Sequence, residues 1–116
     1  KIAGTYTAGE LNGFTHSAGV LTYTGSLTKK FLVVASVSAD ATATDDYLFR
    51  VAKDGTDIAA SQITRSISGA NDIGAITLCW VVELATNATI QIQVSRDGAS
   101  GNLSNAEVTL NVCAVS

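Results

Sequence analysis

The sequence predicts an all-β protein, a two-sheet antiparallel sandwich or jelly roll. Three observations predict it. Apolar and polar side chains alternate at period two in the best-defined runs. Asp-Gly pairs and Gly/Ser/Asn-rich breaks punctuate those runs. No stretch carries a sustained apolar stripe at helical spacing.

The strands follow in chain order. A short one is expected over residues 14–16, then 20–24 and 30–38. Residues 47–53 and 56–61 flank Asp54-Gly55, which reads as a type I′ hairpin because Asp and Gly tolerate positive φ. Residues 75–84, 88–95 and 105–115 complete the set. Over 89–95, Ile90, Ile92 and Val94 alternate with Gln91, Gln93 and Ser95. Over 107–115, Val108, Leu110, Val112 and Ala114 alternate with Glu107, Thr109, Asn111 and Cys113. Thr, Val and Ile are abundant and Pro is absent, as a pleated, half-buried surface favours. Residues 39–46 are small and acidic, and 66–74 and 97–105 are rich in Gly, Ser and Asn; all three read as exposed loops.

Composition bounds the function. The 116 residues form one domain, 1–116, with no internal repeat or linker. Hydrophobic residues at 47% and charged residues at 15% exclude a disordered chain and a long charged helix. A net charge of −3 argues against a nucleic-acid partner bound through a basic face. No apolar run approaches the roughly 18 residues that membrane insertion by a helix needs. The chain opens on Lys1 and contains no Met, which reads as a piece cut from a longer protein.

Two strands break the alternation. Phe31-Leu32-Val33-Val34-Ala35 and Leu78-Cys79-Trp80-Val81-Val82 are apolar on both faces, so both faces need cover. With no helix to supply it, a neighbouring subunit in a closed cyclic oligomer is the simplest cover; a loop of the same chain is the alternative. Phe31, Val33, Cys79, Trp80 and Val81 are the candidate contact residues.

Candidate chemistry is thin. His16 is the single imidazole and no nucleophile elbow accompanies it, so no catalytic residue is assigned. Asp40, Asp45 and Asp46 lack calcium-loop spacing and read as a solvated loop. Glu10, Glu83 and Glu107 lack the aromatic platform of a sugar-cleaving groove. Trp80 with Tyr6, Tyr23 and Tyr47 offers a sugar-stacking set, but a doubly apolar strand places Trp80 in the core or a subunit contact. Arg50 and Arg65 read equally as a solvated strand face or as partners for acids across a subunit boundary. The sequons at Asn87 and Asn102 read as chance matches in a Thr- and Ser-rich chain. Phosphate cradles and metal-ligand spacings are absent, so no cofactor is expected. Cys79 and Cys113 are expected as free, buried thiols, with a single disulfide as the alternative.

Several phrases carry a family resemblance: Ala3-Gly4-Thr5, Leu11-Asn12-Gly13-Phe14-Thr15, Gly19-Val20-Leu21-Thr22-Tyr23-Thr24-Gly25, Lys30-Phe31-Leu32-Val33, Phe49 to Thr56, and Val82-Glu83-Leu84-Ala85-Thr86-Asn87. With the closing alternating strand, the chain resembles the carboxyl-terminal jelly-roll domains of tailed-bacteriophage tail fibres, capsid fibres and head decoration proteins. These are similar in architecture to the trimeric heads of the complement and tumour-necrosis-factor superfamily. The resemblance implies a homotrimer following a stalk, at the virion surface, with no catalytic set. Its partners would be itself, other virion proteins of capsid or tail, and a host surface receptor. The composition of the three exposed loops makes them the expected host or capsid contacts, at Asp40, Asp45, Asp46, Asn71, Asp72, Asp97 and Asn102. A receptor-binding fibre head recognising a host glycan or protein, and a secreted lectin-like or cytokine-like module, are the alternatives.

Overall fold

Period-two alternation decides which side chains meet. On β3 (Lys29–Ala41), Phe31, Val33, Ala35, Val37, Ala39 and Ala41 are all buried, while the residues between them are half-buried or exposed. On β7 (Gly74–Leu84), Leu78, Val82 and Leu84 are buried, with Ile76 and Trp80 packed against the same core. Their neighbours Ala75, Thr77, Cys79, Val81 and Glu83 are exposed. The register matches these sets: Phe31 faces Val82, Val33 faces Trp80 and Ala35 faces Leu78. One-residue slippage would turn every one of these side chains to the other face.

The computed structural model describes residues 6–9, 11–41, 44–68, 72–97 and 103–115. Its remaining strands are β1 (Phe14–Ser17), β2 (Val20–Tyr23), β4 (Thr44–Lys53), β5 (Thr56–Asp57), β6 (Ile63–Ser68), β8 (Thr89–Arg96) and β9 (Leu103–Ala114), with a 3-10 turn at Ala59–Ser61. All pairings are antiparallel, and the protein is all-β with two sheets. The large sheet runs β1-β2-β8-β4, with both β6 and β5 on the far edge of β4. The small sheet runs β7-β3-β9. One apolar core draws on both, as in a sandwich: Tyr23, Tyr47, Phe49, Val51, Ile67, Ile90 and Ile92 from the large sheet meet the β3 and β7 residues named above.

Local chemistry fixes the joins. Asp54 and Gly55 take φ of 52° and 80°, the two positive values a type I′ turn requires. Asp54 also accepts the Thr89 N–H through Oδ1 at 2.9 Å, tying the hairpin tip to β8. Between β2 and β3, the Tyr23 hydroxyl donates to the Leu27 carbonyl at 2.7 Å. The Tyr23 ring packs edge-on against Phe31, with centroids 4.9 Å apart, and against Phe14 at 5.5 Å. This aromatic trio bridges the sheets.

Three expectations change. Residues 56–61 do not form one strand: two residues pair with β4 and the chain then turns at Ala59–Ser61. Ser61 explains the turn, because its buried hydroxyl accepts the Val51 N–H at 2.9 Å and donates to the Ile58 carbonyl at 2.7 Å. Two of the expected exposed loops are shorter than read: residues 66–68 belong to β6, whose Ile67 is buried, and 103–105 begin β9, whose Leu103 is buried. Residues 39–41 and 44–46 extend β3 and β4 instead of forming an exposed connection, since Ala39 and Ala41 fill the inward positions.

Candidate interaction face

The outer face of the small sheet follows from the inner one. Leu32 and Val34 of β3 point outward and remain half-buried. Val34 stands opposite Cys79 on β7 and Asn111 on β9; Leu32 stands opposite Val81 and Cys113. Ser36 continues the row between Thr77 and Thr109. The centre of the face is therefore nine uncharged residues, and Val81 is 52% exposed within it. Charges return only at the ends: Lys30 and Glu83 stand opposite each other at one end, and Glu107 stands opposite Ser38 towards the other. Outward positions of the large sheet are mostly polar, with Thr22, Gln91, Gln93, Ser95 and Arg50. Arg50 donates to Gln62 Oε1 through Nε at 2.8 Å and lies 3.5 Å from Asp57.

Of the five candidate contact residues, the structure puts Cys79 and Val81 on this face. Phe31 and Val33 correct the sequence reading: they are 4% and 0% exposed in the intersheet core and keep no surface for a neighbour. Trp80 also turns inward and packs on the core. A run of five apolar residues hides this parity; the outward members are Leu32 and Val34, which sequence reasoning passed over. Both cysteines are free and exposed, which corrects the expectation of burial. They sit on β7 and β9, two strands apart and two residues out of level, so their Cα atoms are about 12 Å apart, too far for a disulfide within one chain.

Four acidic residues gather at one end. The pairings of β4 with β6 and β8 bring Asp45, Asp46, Asp72 and Asp97 together there. Arg96 Nε donates to Asp45 Oδ2 at 2.8 Å, and Asp45 Oδ1 accepts the Asp46 N–H at 2.8 Å. These bonds, the backbone one first, hold the Asp45 carboxyl below the usual carboxylate range. Asp46 accepts from the Ser66 hydroxyl, and its carbonyl accepts the Asp97 N–H at 2.9 Å. Asp72 accepts the Ser68 N–H at 2.8 Å. Asp40 lies within β3, so it, Asp45 and Asp46 are strand residues, not loop residues. Asn71 and Asn102 lie outside the described residues.

A cleft of about 320 Å³ opens beside β9, where the wider large sheet overhangs the small one. Phe14, Leu21, Ile92, Val108 and Leu110 line it, with His16 and Tyr6 among its polar groups. His16 Nε2 accepts the Gly19 N–H at 2.9 Å, so that nitrogen is committed to the β1–β2 turn. Burial pushes the Tyr6 phenol up. Glu83 and Glu107 stand eight residues apart along β3 and share no site. Among the described residues no group of three or more His, Cys, Asp or Glu is placed to hold a metal ion, and no helix is long and apolar enough to cross a membrane.

No protein-family model matches this chain, and no curated protein matches it.

Proposed function

We propose that this chain is a non-enzymatic, homotrimeric surface module of a tailed-bacteriophage virion, serving as a head decoration, capsid fibre or fibre tip. The observation that carries the reading is the uncharged outer face built on Leu32, Val34, Cys79, Val81 and Cys113. Contiguous exposed apolar surface on a small protein marks an interaction site. The polar outer face of the large sheet gives the molecule one side for water and one for a partner.

The strand order supports the jelly-roll form of the sandwich. The chain passes from the large sheet at β2 to the small at β3 and back at β4, and from the small at β7 to the large at β8 and back at β9. A trimer closed on the small sheet presents three acidic ends, each carrying Asp45, Asp46, Asp72 and Asp97, on one side of the particle. Val115 bonds to the Lys30 carbonyl at the opposite end. Weak contacts made by each acidic end then add through effective concentration.

Solution mass tests the assembly, and probing fractionated virions for this chain tests its place. A mass of three chains and a signal in heads or tails fit the reading. A mass of one chain, or a signal in neither fraction, contradicts it.

A further inference from the structure

We infer that the cleft beside β9 binds a small uncharged ligand with a hydrocarbon body of one or two rings and a hydroxyl group, the rings against the inner faces of the two sheets and the hydroxyl at Tyr6 and His16. One chain supplies every described lining residue, so the site goes beyond the trimer reading and does not rest on it. The sandwich is closed along one side and open along the other. On the closed side β6 packs on β7, where a Cβ at Gly74 would stand 2.8 Å from Ile67. On the open side β1 is 4 residues long and β9 is 12. Val108, Leu110 and Val112 of β9 stand opposite Val37, Ala35 and Val33 of β3 and share their inward parity. Those β3 residues are 3% exposed or less, whereas their β9 neighbours are only half-buried. The cleft is the space left where the large sheet does not close over β9.

Size, walls and charge define the ligand. A cavity of about 150 Å³ lined by Leu, Ile and Phe holds benzene. At about 320 Å³ this cleft has room for a second ring or a short substituent, and it lies at the lower end of the range for small-molecule sites. Phe14, Leu21 and Ile92 line it from the large sheet, and Val108 and Leu110 from the small one. Phe14 is fixed from behind by Phe31, edge-on at 5.4 Å, so this wall is preformed. None of the described lining residues is Asp, Glu, Lys or Arg. A charged ligand would therefore lose its hydration without gaining a partner. The polar groups collect at one end, where the Tyr6 and His16 ring centroids are 6.3 Å apart. The Tyr6 ring rests on Gly19, at which a Cβ would stand 2.7 Å from it. His16 Nε2 accepts the Gly19 N–H, which leaves the ring proton on Nδ1 as a donor for a ligand oxygen. Burial pushes the Tyr6 phenol up, so it stays a hydroxyl at neutral pH. A few polar groups at one end of an apolar pocket are what orient a small ligand.

The test is a methyl NMR titration of the intact chain at neutral pH with 2-naphthol, 2-naphthoate and methyl glucoside. The naphthol is expected to bind saturably and to shift the methyl signals of Leu21, Ile92, Val108 and Leu110. The naphthoate, with a carboxylate in place of the hydroxyl, is expected to bind at least about tenfold more weakly. Leu110→Trp fills the cleft from the edge strand and is expected to abolish the shifts while the β-sheet circular dichroism spectrum is retained. If that variant unfolds, the wild-type shift map and the order of the probes decide. No saturation, shifts centred on Leu32 and Val34 of the outer face, naphthoate binding as tight as naphthol, or shifts that survive in a folded Leu110→Trp would each overturn the inference. Tighter binding of methyl glucoside would assign the cleft to sugars and overturn the hydrocarbon class. Each of these outcomes reads the same whether the mass in solution is one chain or three, so the site and the trimer stand or fall separately.

Discussion

Arg96 and Asp45 form an ion pair of 2.8 Å that ties the end of β8 to the start of β4. Both residues stand on the inward parity of their strands, beside Val94 and Tyr47, so the pair closes the acidic end of the core. The Asp45 carboxyl is held low by the Asp46 N–H and then by Arg96. A carboxyl lowered on folding contributes stability above its unfolded value, near 4, and loses it as pH falls through the folded value. Asp45→Asn should therefore lower the melting temperature at pH 7, and the gap from wild type should close at the acid end of a melting series. An equal gap at every pH would remove Asp45 from the account.

Gly25 lies under the Tyr23 side chain. A Cβ at Gly25 would stand 2.2 Å from the Tyr23 hydroxyl and 2.4 Å from the ring carbon that bears it. That ring is held by Phe14, Phe31 and the Leu27 carbonyl, so it has little room to yield. Gly25→Ala should cost about 1–3 kcal/mol by overpacking, measured by urea unfolding. Gly55→Ala meets no atom within 4 Å and should cost only the positive-φ strain, about 1 kcal/mol.

Ser61 is 4% exposed and satisfies two backbone groups at once. Ser61→Ala leaves the Val51 N–H without its acceptor, beside a fully buried side chain. The expected loss is about 1–3 kcal/mol by equilibrium unfolding. A loss within experimental error would show that the turn at 59–61 does not depend on this hydroxyl.

The β1–β2 turn carries a correctable flaw. Ala18 holds φ at 49° and Gly19 at 84°, the pattern that Asn-Gly fits best. Ala18→Asn should stabilise the protein by about 0.5–1 kcal/mol, read as a higher melting temperature. A fall in melting temperature would indicate that the side chain at position 18 is constrained by something other than backbone strain.

The two faces of β3 should respond differently to substitution. Phe31→Ala removes a core ring and should cost about 3–5 kcal/mol of folding stability. Val34→Lys places an ammonium on the outer face, where the proposed axis runs. It should release single chains by light scattering while the β-sheet circular dichroism spectrum is retained. A variant that keeps the wild-type mass would move the contact away from this face.

Legibility followed parity. Where apolar and polar residues alternate strictly, as in Ile90 to Ser95 and Val108 to Ala114, the sequence reading and the structure agree on strand and face. Asp54-Gly55 was equally clear, because positive φ at two successive positions selects those residues. Small residues misled. Ala39 and Ala41 look like loop residues, yet they fill inward positions where only a Cβ is needed. Ile63, Arg65 and Ile67 alternate in β6, but the serines around them read as a break. The candidate face is half legible: an unbroken apolar run announces apolar residues on both faces, but only pairing with β7 and β9 shows that Leu32 and Val34, not Phe31 and Val33, face outward. The gathering of Asp45, Asp46, Asp72 and Asp97 at one end depends on strand order, which local patterns do not encode.

The mass of the chain in solution, at micromolar concentration, neutral pH and with thiols reduced, tests the central claim most directly. Light scattering should return three times the 11.9 kDa of one chain. A value of 11.9 kDa would mean that the outer face of β3, β7 and β9 stays wet in a lone copy, and would contradict the account.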